Sequence, residues 1–406
     1  MRDNALGVYI SVPFCRSKCT YCNFASGVYP ASEHARYIDR LIGDLAGAAK
    51  WASQTGVDLP RTVDTVYLGG GTPTLLAPDL IGRLFAALRS EFDVKADAEI
   101  TVECAPGQLA EETLAAMVAA GANRVSLGVQ SFIDREAHES GRLHGRAIVM
   151  EDLRRLRTAG IDNLNVDLIA GLAGQTFASW DESLAALVES GTPHASVYML
   201  EVDEDSRLGR EMLSGGARYH AGLVPEDDAI ARMYETAVER LGAAGLAQYE
   251  ISNFGRHGFA SRHNLRYWEQ RPYLGLGLDA SSMLHDAGED AGYVLRSKTT
   301  DELKAYLDAS EPAETAWLSP DRQHEEAWFL GLRLNAGVDV ASLEREFGRT
   351  RVDAAMEVVE RLIDDELLVS DGRTVRLTVR GRLLSNDVFQ EFLGLVADDD
   401  AVGMGR

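Results

Sequence analysis

Three cysteines, Cys15, Cys19 and Cys22, fall within eight positions as C-x3-C-x2-C, and the chain holds only one more, Cys104. Three thiolates can bind three irons of a 4Fe-4S cubane and leave the fourth iron coordinatively open. The amino and carboxylate groups of S-adenosylmethionine can fill that open position. The same residue types also allow a structural zinc site completed by a ligand such as His34, or three unrelated thiols, but the spacing is not that of a zinc finger. So few cysteines, crowded into one loop of a long chain, make a poor disulfide framework. The loop follows the β-rich run GVYISV, which puts it at the carboxyl end of a strand, where barrel folds carry their chemistry.

Other polar residues fall at the ends of later β-rich runs. Gly69-Gly70-Gly71-Thr72-Pro73 follows the second run, and its bare backbone can approach a small ligand and offer N–H groups, although a tight strand-to-helix turn also uses glycines. Glu103 ends the third run, Gln130 follows the fourth, Arg142 comes shortly after it, and Asp167 interrupts the apolar fifth, NVDLIAG. A carboxylate in such a run needs a partner. That partner is either a structural ion pair or a ligand held where successive strand ends converge, and these groups suit a zwitterion and a ribose. Glu103 and Cys104 are adjacent on one strand, so one enters the barrel and the other packs against helices, with Cys104 reading as an ordinary buried thiol.

These residues need a scaffold, and the chain supplies one in alternating β and helical runs up to about residue 250. GVYISV, VDTVYLGG, AEITVEC, NRVSLGV, NLNVDLIAG and ASVYMLE are the strand candidates, each followed by a helical stretch such as DLIGRLFAALRSEF. Gly121, Gly160, Gly191 and Gly245 sit where helices need a left-handed closing residue. Six βα units are too few for a closed eight-stranded barrel, so the fold class expected is α/β, a partial (β/α)6 TIM-like barrel. Residues 1–250 form that barrel, and 251–309 read as an ordered connecting segment without a clear period. Residues 310–395 form a winged-helix-like α+β domain with a hairpin turn at Asp371-Gly372, and 396–406 form an acidic tail carrying Asp398, Asp399 and Asp400.

Composition limits the partners. With 406 residues, 46% of them hydrophobic, the chain is long enough for a large core, and a formal net charge of -23 disfavours phosphodiester backbones and anionic membranes. The winged-helix pattern therefore favours an interaction or lid role over DNA recognition. The opening residues are too polar for a secretory signal, and no run is long and apolar enough to span a bilayer, so a cytoplasmic protein is expected.

The segments YISVPFCRSKCTYCNF, GGGTPTLL, LGVQSF, GRLHGR, NVDLIAGLAGQT, YEISNF and SRHNLRYW occur in this order over nearly the whole chain. They resemble the motifs of the oxygen-independent coproporphyrinogen III oxidase family of radical-SAM proteins, most closely its heme chaperone branch. The resemblance implies that Cys15, Cys19 and Cys22 carry a 4Fe-4S cluster and that Tyr9, Gly70, Gly71, Thr72, Glu103, Gln130, Arg142 and Asp167 contact S-adenosylmethionine. The oxidase branch has a further cysteine where this chain has Phe24, and a long N-terminal arm, so both differences favour the chaperone branch. His263 to Trp268 matches the HNxxYW motif associated with heme in that branch. It implies His263 as iron ligand, with Arg262 and Arg266 able to meet propionates and Tyr267, Trp268 and Tyr273 offering flat surface to the macrocycle; read alone, the hexapeptide also allows His263 and Asn264 to satisfy backbone groups in a long loop while the aromatics fill the core. Ser281 stands where the family commonly has histidine. The expected function is to hand heme to an acceptor protein, membrane-associated or not; the alternative is radical oxidative decarboxylation of porphyrinogen propionates. A winged-helix regulator sensing iron or heme is a third reading, against which the charge balance argues.

Overall fold

The computed structural model describes residues 5–288, 292–309 and 314–395. Apolar and polar side chains alternate along its central strands, and this alternation divides the sheet into two faces. Strands β1 (Leu6–Val12), β2 (Thr62–Gly70), β3 (Asp93–Cys104), β4 (Arg124–Gln130), β5 (Asn163–Ala170) and β6 (His194–Met199) lie side by side, each parallel to the next. One face is aliphatic, with Val8, Ile10, Leu68, Val102, Leu127 and Val166 among its buried residues, and joins the helices in one core. The other face carries Thr65, Glu99, Thr101, Arg124, Ser126 and Asn165, all buried. Buried parallel strands are usually apolar on both faces. Here the polar face is the barrel's interior, and its hydrogen bonds are made between strands.

The helices that return the chain across the aliphatic face include Ala31–Thr55, Pro78–Glu91, Phe177–Ser190 and Asp227–Ala243. Gly121, Gly160, Gly191 and Gly245 follow helices with φ of 89°, 89°, 68° and 81°, the left-handed conformation their positions require.

The connecting segment has more structure than its sequence suggests. After β7 (Ala247–Gln248), it contributes β8 (Asn253–Gly255), the helix Arg262–Trp268, and β9 (Tyr273–Leu276), β10 (Ser281–His285) and β11 (Val294–Lys298), with β12 (Glu314–Leu318) following. β9 lies parallel to β1 on the side away from β2, and the sheet runs β12-β11-β10-β9-β1-β2-β3-β4-β5-β6-β8-β7 without closing. The last residues gather around a second core containing Trp328, Val352, Val359, Val375 and Phe392. Helices Pro320–Leu332, Val340–Phe347 and Arg349–Asp364 pack with a small sheet of β13 (Val338–Asp339), β14 (Leu368–Ser370) and β15 (Thr374–Leu377), in a winged-helix-like arrangement. Gly372 turns the expected hairpin with φ of 84°. The acidic tail lies outside the described residues.

Candidate functional site

The cysteine loop is pinned where β1 and β2 end. Cys15 N–H donates to the Gly27 carbonyl at 2.8 Å and Gly27 N–H to that of Pro13 at 2.9 Å, so the loop closes on its own base. Thr72 N–H donates to the Phe14 carbonyl at 2.8 Å, tying the glycine-rich turn to the same base. A Cβ on Gly71 would lie 2.7 Å from the Val12 oxygen and 2.9 Å from Phe14 N and O, so only glycine permits this approach.

The three thiols are free and have donors around them. Arg142 Nη1 donates to Cys19 Sγ at 3.5 Å, and the Cys22 Sγ and Ser26 Oγ atoms lie 4.0 Å apart. Burial pushes the Cys15 thiol up, while the Ser26 and Thr72 hydroxyls beside it pull it down. Burial opposes the charge on Arg142, but Tyr21, Cys19 and Asp167 outweigh it and raise its pKa. A half-buried guanidinium and hydroxyl donors around three free thiols are the donor set that an iron–sulfur cluster's thiolates need, so the residues fit such a group. His34 is not part of this group: its ring stacks on Phe14 with centroids 3.9 Å apart and lines a separate cavity.

Beside the loop is a cavity of about 290 Å³, walled by Tyr9, Ser11, Phe24, Gly70 and Glu103 on one side and by Tyr267, Tyr273, Asp279 and Ser281 of the connecting segment on the other. Glu103 accepts from the Tyr67 hydroxyl at 2.9 Å. Burial first, and the neighbouring Asp167 second, push its carboxyl up to about 7. A Cβ on Gly69 would come within 2.8 Å of Glu103 Oε1, so the glycine run also makes room for this carboxyl. Cys104 points the other way, into the helix-facing core, with Thr74 Oγ1 at 3.8 Å from its sulfur.

Deeper along the strand ends, Gln130 adopts φ of 68° at a register shift between β4 and β5, and its Oε1 is buried without a hydrogen-bond partner. The Nε of Arg142 is likewise unpaired, while its Nη2 donates to the Gly128 carbonyl. Asp167 accepts from Ser126 at 3.2 Å and Asn165 at 2.6 Å, and burial raises its pKa. Its partners are thus neutral donors rather than a structural ion pair. Orphaned buried polar atoms together with a near-neutral carboxyl are what a small polar ligand would satisfy. Tyr9, Gly70 and Glu103 therefore meet at the cavity, Gly71, Thr72 and Arg142 at the cysteine loop, and Gln130 and Asp167 on neighbouring strands.

The HNLRYW segment is a different case. It forms the helix Arg262–Trp268, capped by Ser261, and packs into the polar face of the barrel. Glu99 accepts from the backbone N–H groups of Arg262 and His263, each at 3.0 Å. His263 is 1% exposed, with Nδ1 2.9 Å from Thr65 Oγ1 and Nε2 2.8 Å from the Tyr267 hydroxyl. Both ring nitrogens of His263, the residue expected as heme ligand, are thus engaged within the protein. Arg266 is wholly buried and ion-paired with Asp64. Arg262 Nη1 donates to the Asp97 carbonyl at 2.7 Å. Tyr267 and Tyr273 do reach the cavity.

Sequence reasoning passed over Tyr67 and Ser11, which alternation places on the same face as Glu103 and Tyr9, and Ser26, whose only signal is nearness to Cys22. Asp279, which lines the cavity beside Ser281, lies in the turn between β9 and β10, a place that no short-range pattern ties to the cavity.

The family model of the Radical SAM superfamily matches residues 9–187, and that of the HemN C-terminal domain matches 318–384. The chain is 33% identical to the heme chaperone HemW of Lactococcus lactis over 389 residues, 95% of this chain and 96% of that one. It is 34% identical to that of Mycobacterium tuberculosis over 395 residues, 97% of this chain and 96% of that one. The solved structure of coproporphyrinogen III oxidase (HemN) from Escherichia coli superposes with a TM-score of 0.81 at 23% identity, covering 96% of this chain and 90% of that one, a likeness of fold. By motif order, fold and similarity along nearly its whole length, the chain belongs to the HemW family of the radical-SAM superfamily.

Proposed function

We propose that this protein is a cytoplasmic heme carrier that holds a 4Fe-4S cluster on Cys15, Cys19 and Cys22 and passes heme to an acceptor protein. The observation that carries the reading is the convergence of three free thiols, the half-buried Arg142 and the Glu103 cavity in a chain similar to heme chaperones over nearly its whole length. S-adenosylmethionine would lie across the strand ends, contacted by Tyr9, Gly70, Glu103, Gln130 and Asp167, with Gly71, Thr72 and Arg142 shaping the cluster side. When bound, the reduced cluster and S-adenosylmethionine supply one-electron chemistry.

The chain's own groups have defined parts. Gln130 Oε1 offers an acceptor, and Glu103 offers a carboxyl that takes up or releases a proton near neutral pH. Arg142 holds positive charge against Cys19, and Phe24, where the oxidase branch has cysteine, puts an apolar ring at the cavity's rim. Among the described residues no helix is long and apolar enough to cross a membrane, so a membrane-associated acceptor would be met at a protein surface.

Anaerobic reconstitution with iron and sulfide, then parallel assays with hemin and with coproporphyrinogen III, tests the reading. Uptake of hemin with a shifted Soret band, its transfer to an apo-hemoprotein, and no decarboxylation are expected. Conversion of coproporphyrinogen without hemin uptake would replace the carrier by the oxidase.

A further inference from the structure

The helix Pro320–Leu332 of the second core packs against the HNLRYW helix, and Arg333 closes it. The Arg333 guanidinium lies over the Trp268 ring, 4.2 Å from its centroid, with the Phe389 ring at 5.9 Å. Arg333 is half-buried, yet among the described residues it forms no ion pair and none of its side-chain nitrogens donates a hydrogen bond. Its Nε is sealed from solvent without an acceptor, while the two Nη groups are not sealed. Trp268 Nε1 beneath it is buried without an acceptor as well. Other arginines drawn into the fold are matched: Arg155, Arg266, Arg271 and Arg296 each reach a carboxylate. In a chain with 63 acidic and 40 basic residues, an arginine held between rings without an acid points to an acid that the chain does not supply.

The surroundings of Arg333 place it at the mouth of the barrel. Tyr198, at the end of β6, is 42% exposed although Asp167, Glu250 and Glu103 all act on its hydroxyl. A side chain set among the barrel's interior carboxyls and still wetted lines an opening. Tyr198 acts in turn on Arg333, whose charge burial opposes and Glu250 and Glu201 support. Glu250 does not supply the missing hydrogen bonds, since its Oε1 accepts from the Ser252 N–H at 3.1 Å and from the Asn253 amide. Trp268 follows Tyr267, which walls the cavity beside Glu103.

We propose that Arg333 recognises heme by its acid groups, its free donors receiving one propionate of a macrocycle that lies against the HNLRYW helix at the barrel mouth. The inference rests on the heme-carrier reading and gives the second core a part in it. A planar guanidinium matches the two oxygens of a carboxylate, and the stack on Trp268 fixes that plane before the ligand arrives.

The test compares hemin with hemin dimethyl ester, whose propionates carry no charge, in Soret titrations of the full, anaerobically reconstituted chain. The wild type should prefer the free acid by roughly tenfold or more, the worth of hydrogen bonds to a charged group. Arg333→Met, which keeps an apolar stem over Trp268, should bring hemin down to the ester's affinity and leave the ester's unchanged. Arg333→Lys, which keeps the charge and loses the paired donors, should retain only part of the preference; unchanged cluster absorption shows that a variant is folded. Equal losses for acid and ester in both variants would show that Arg333 only packs the second core against Trp268, and would overturn the proposal. A wild type that binds acid and ester alike would also overturn it, with the carrier reading intact. If the wild-type chain takes up no hemin, the carrier reading falls and this inference with it.

Discussion

Glu103→Gln should remove a pH dependence that the fold builds into the cavity. The carboxyl rises from 4.5 to about 7, first through burial and second through Asp167, with the Tyr67 hydroxyl, the Gly70 N–H and Arg142 pulling the other way. An acid whose pKa is raised by folding keeps a proton in the native state that the unfolded chain has already lost. Between 4.5 and about 7 the native state therefore binds more protons, and stability falls as pH rises through that window before levelling off. At about 1.36 kcal/mol per pH unit the full loss is about 3 kcal/mol, shared with Asp167 because the two carboxyls interact. The variant cannot lose a proton there. Urea denaturation of both proteins, run anaerobically at about pH 5 and about pH 8, should show the wild type losing ground to the variant by about 2–3 kcal/mol over the interval. Parallel stability curves would refute the burial argument. The same carboxyl should release a proton when a cationic ligand such as S-adenosylmethionine enters, seen in calorimetry as a binding heat at about pH 6 that changes with the buffer's ionisation enthalpy.

Replacing Cys15, Cys19 and Cys22 together by serine should abolish iron retention and visible absorption after reconstitution, whereas Cys104→Ala, deep in the aliphatic core, should retain both; iron analysis decides. Gln130→Gly should relieve a left-handed backbone and stabilise the fold by about 1 kcal/mol in denaturant melts, yet weaken S-adenosylmethionine by removing the unpaired amide. Asp64→Asn should cost about 3–5 kcal/mol, because this carboxylate serves both Arg266 and Arg271; a midpoint unchanged in urea would show that the pair is not needed.

The parts of this structure visible in sequence are those governed by short periods. β1 to β6 announce themselves because aliphatic and polar residues alternate over six or more positions, and the same alternation separates Glu103 from Cys104. β9, β10 and β11 are four or five residues long, too short for any period to emerge, and they are strands because β1 offers an unpaired side. The burial of the Arg262–Trp268 helix was hidden for a related reason. Histidine, arginine and aromatics in a row suggest a ligand surface when read locally, but Glu99, Thr65 and Asp64, between 163 and 202 residues away, accept or offer the hydrogen bonds that let these groups be buried. Partners at that distance leave no mark on the segment itself. The same limit hid the separate cavity at His34, since Arg16, His34, Leu75 and Leu109 meet only after three elements have packed.

The pairing of β9 with β1 sets an order of events during synthesis. β1 and β2 are made long before β9, so the second neighbour of β1 is not made until Tyr273–Leu276. Through that interval β1 is an edge, and the cavity wall of Tyr267, Tyr273, Asp279 and Ser281 does not exist. Until then the cavity beside the cysteine loop is open on the side that the connecting segment later walls.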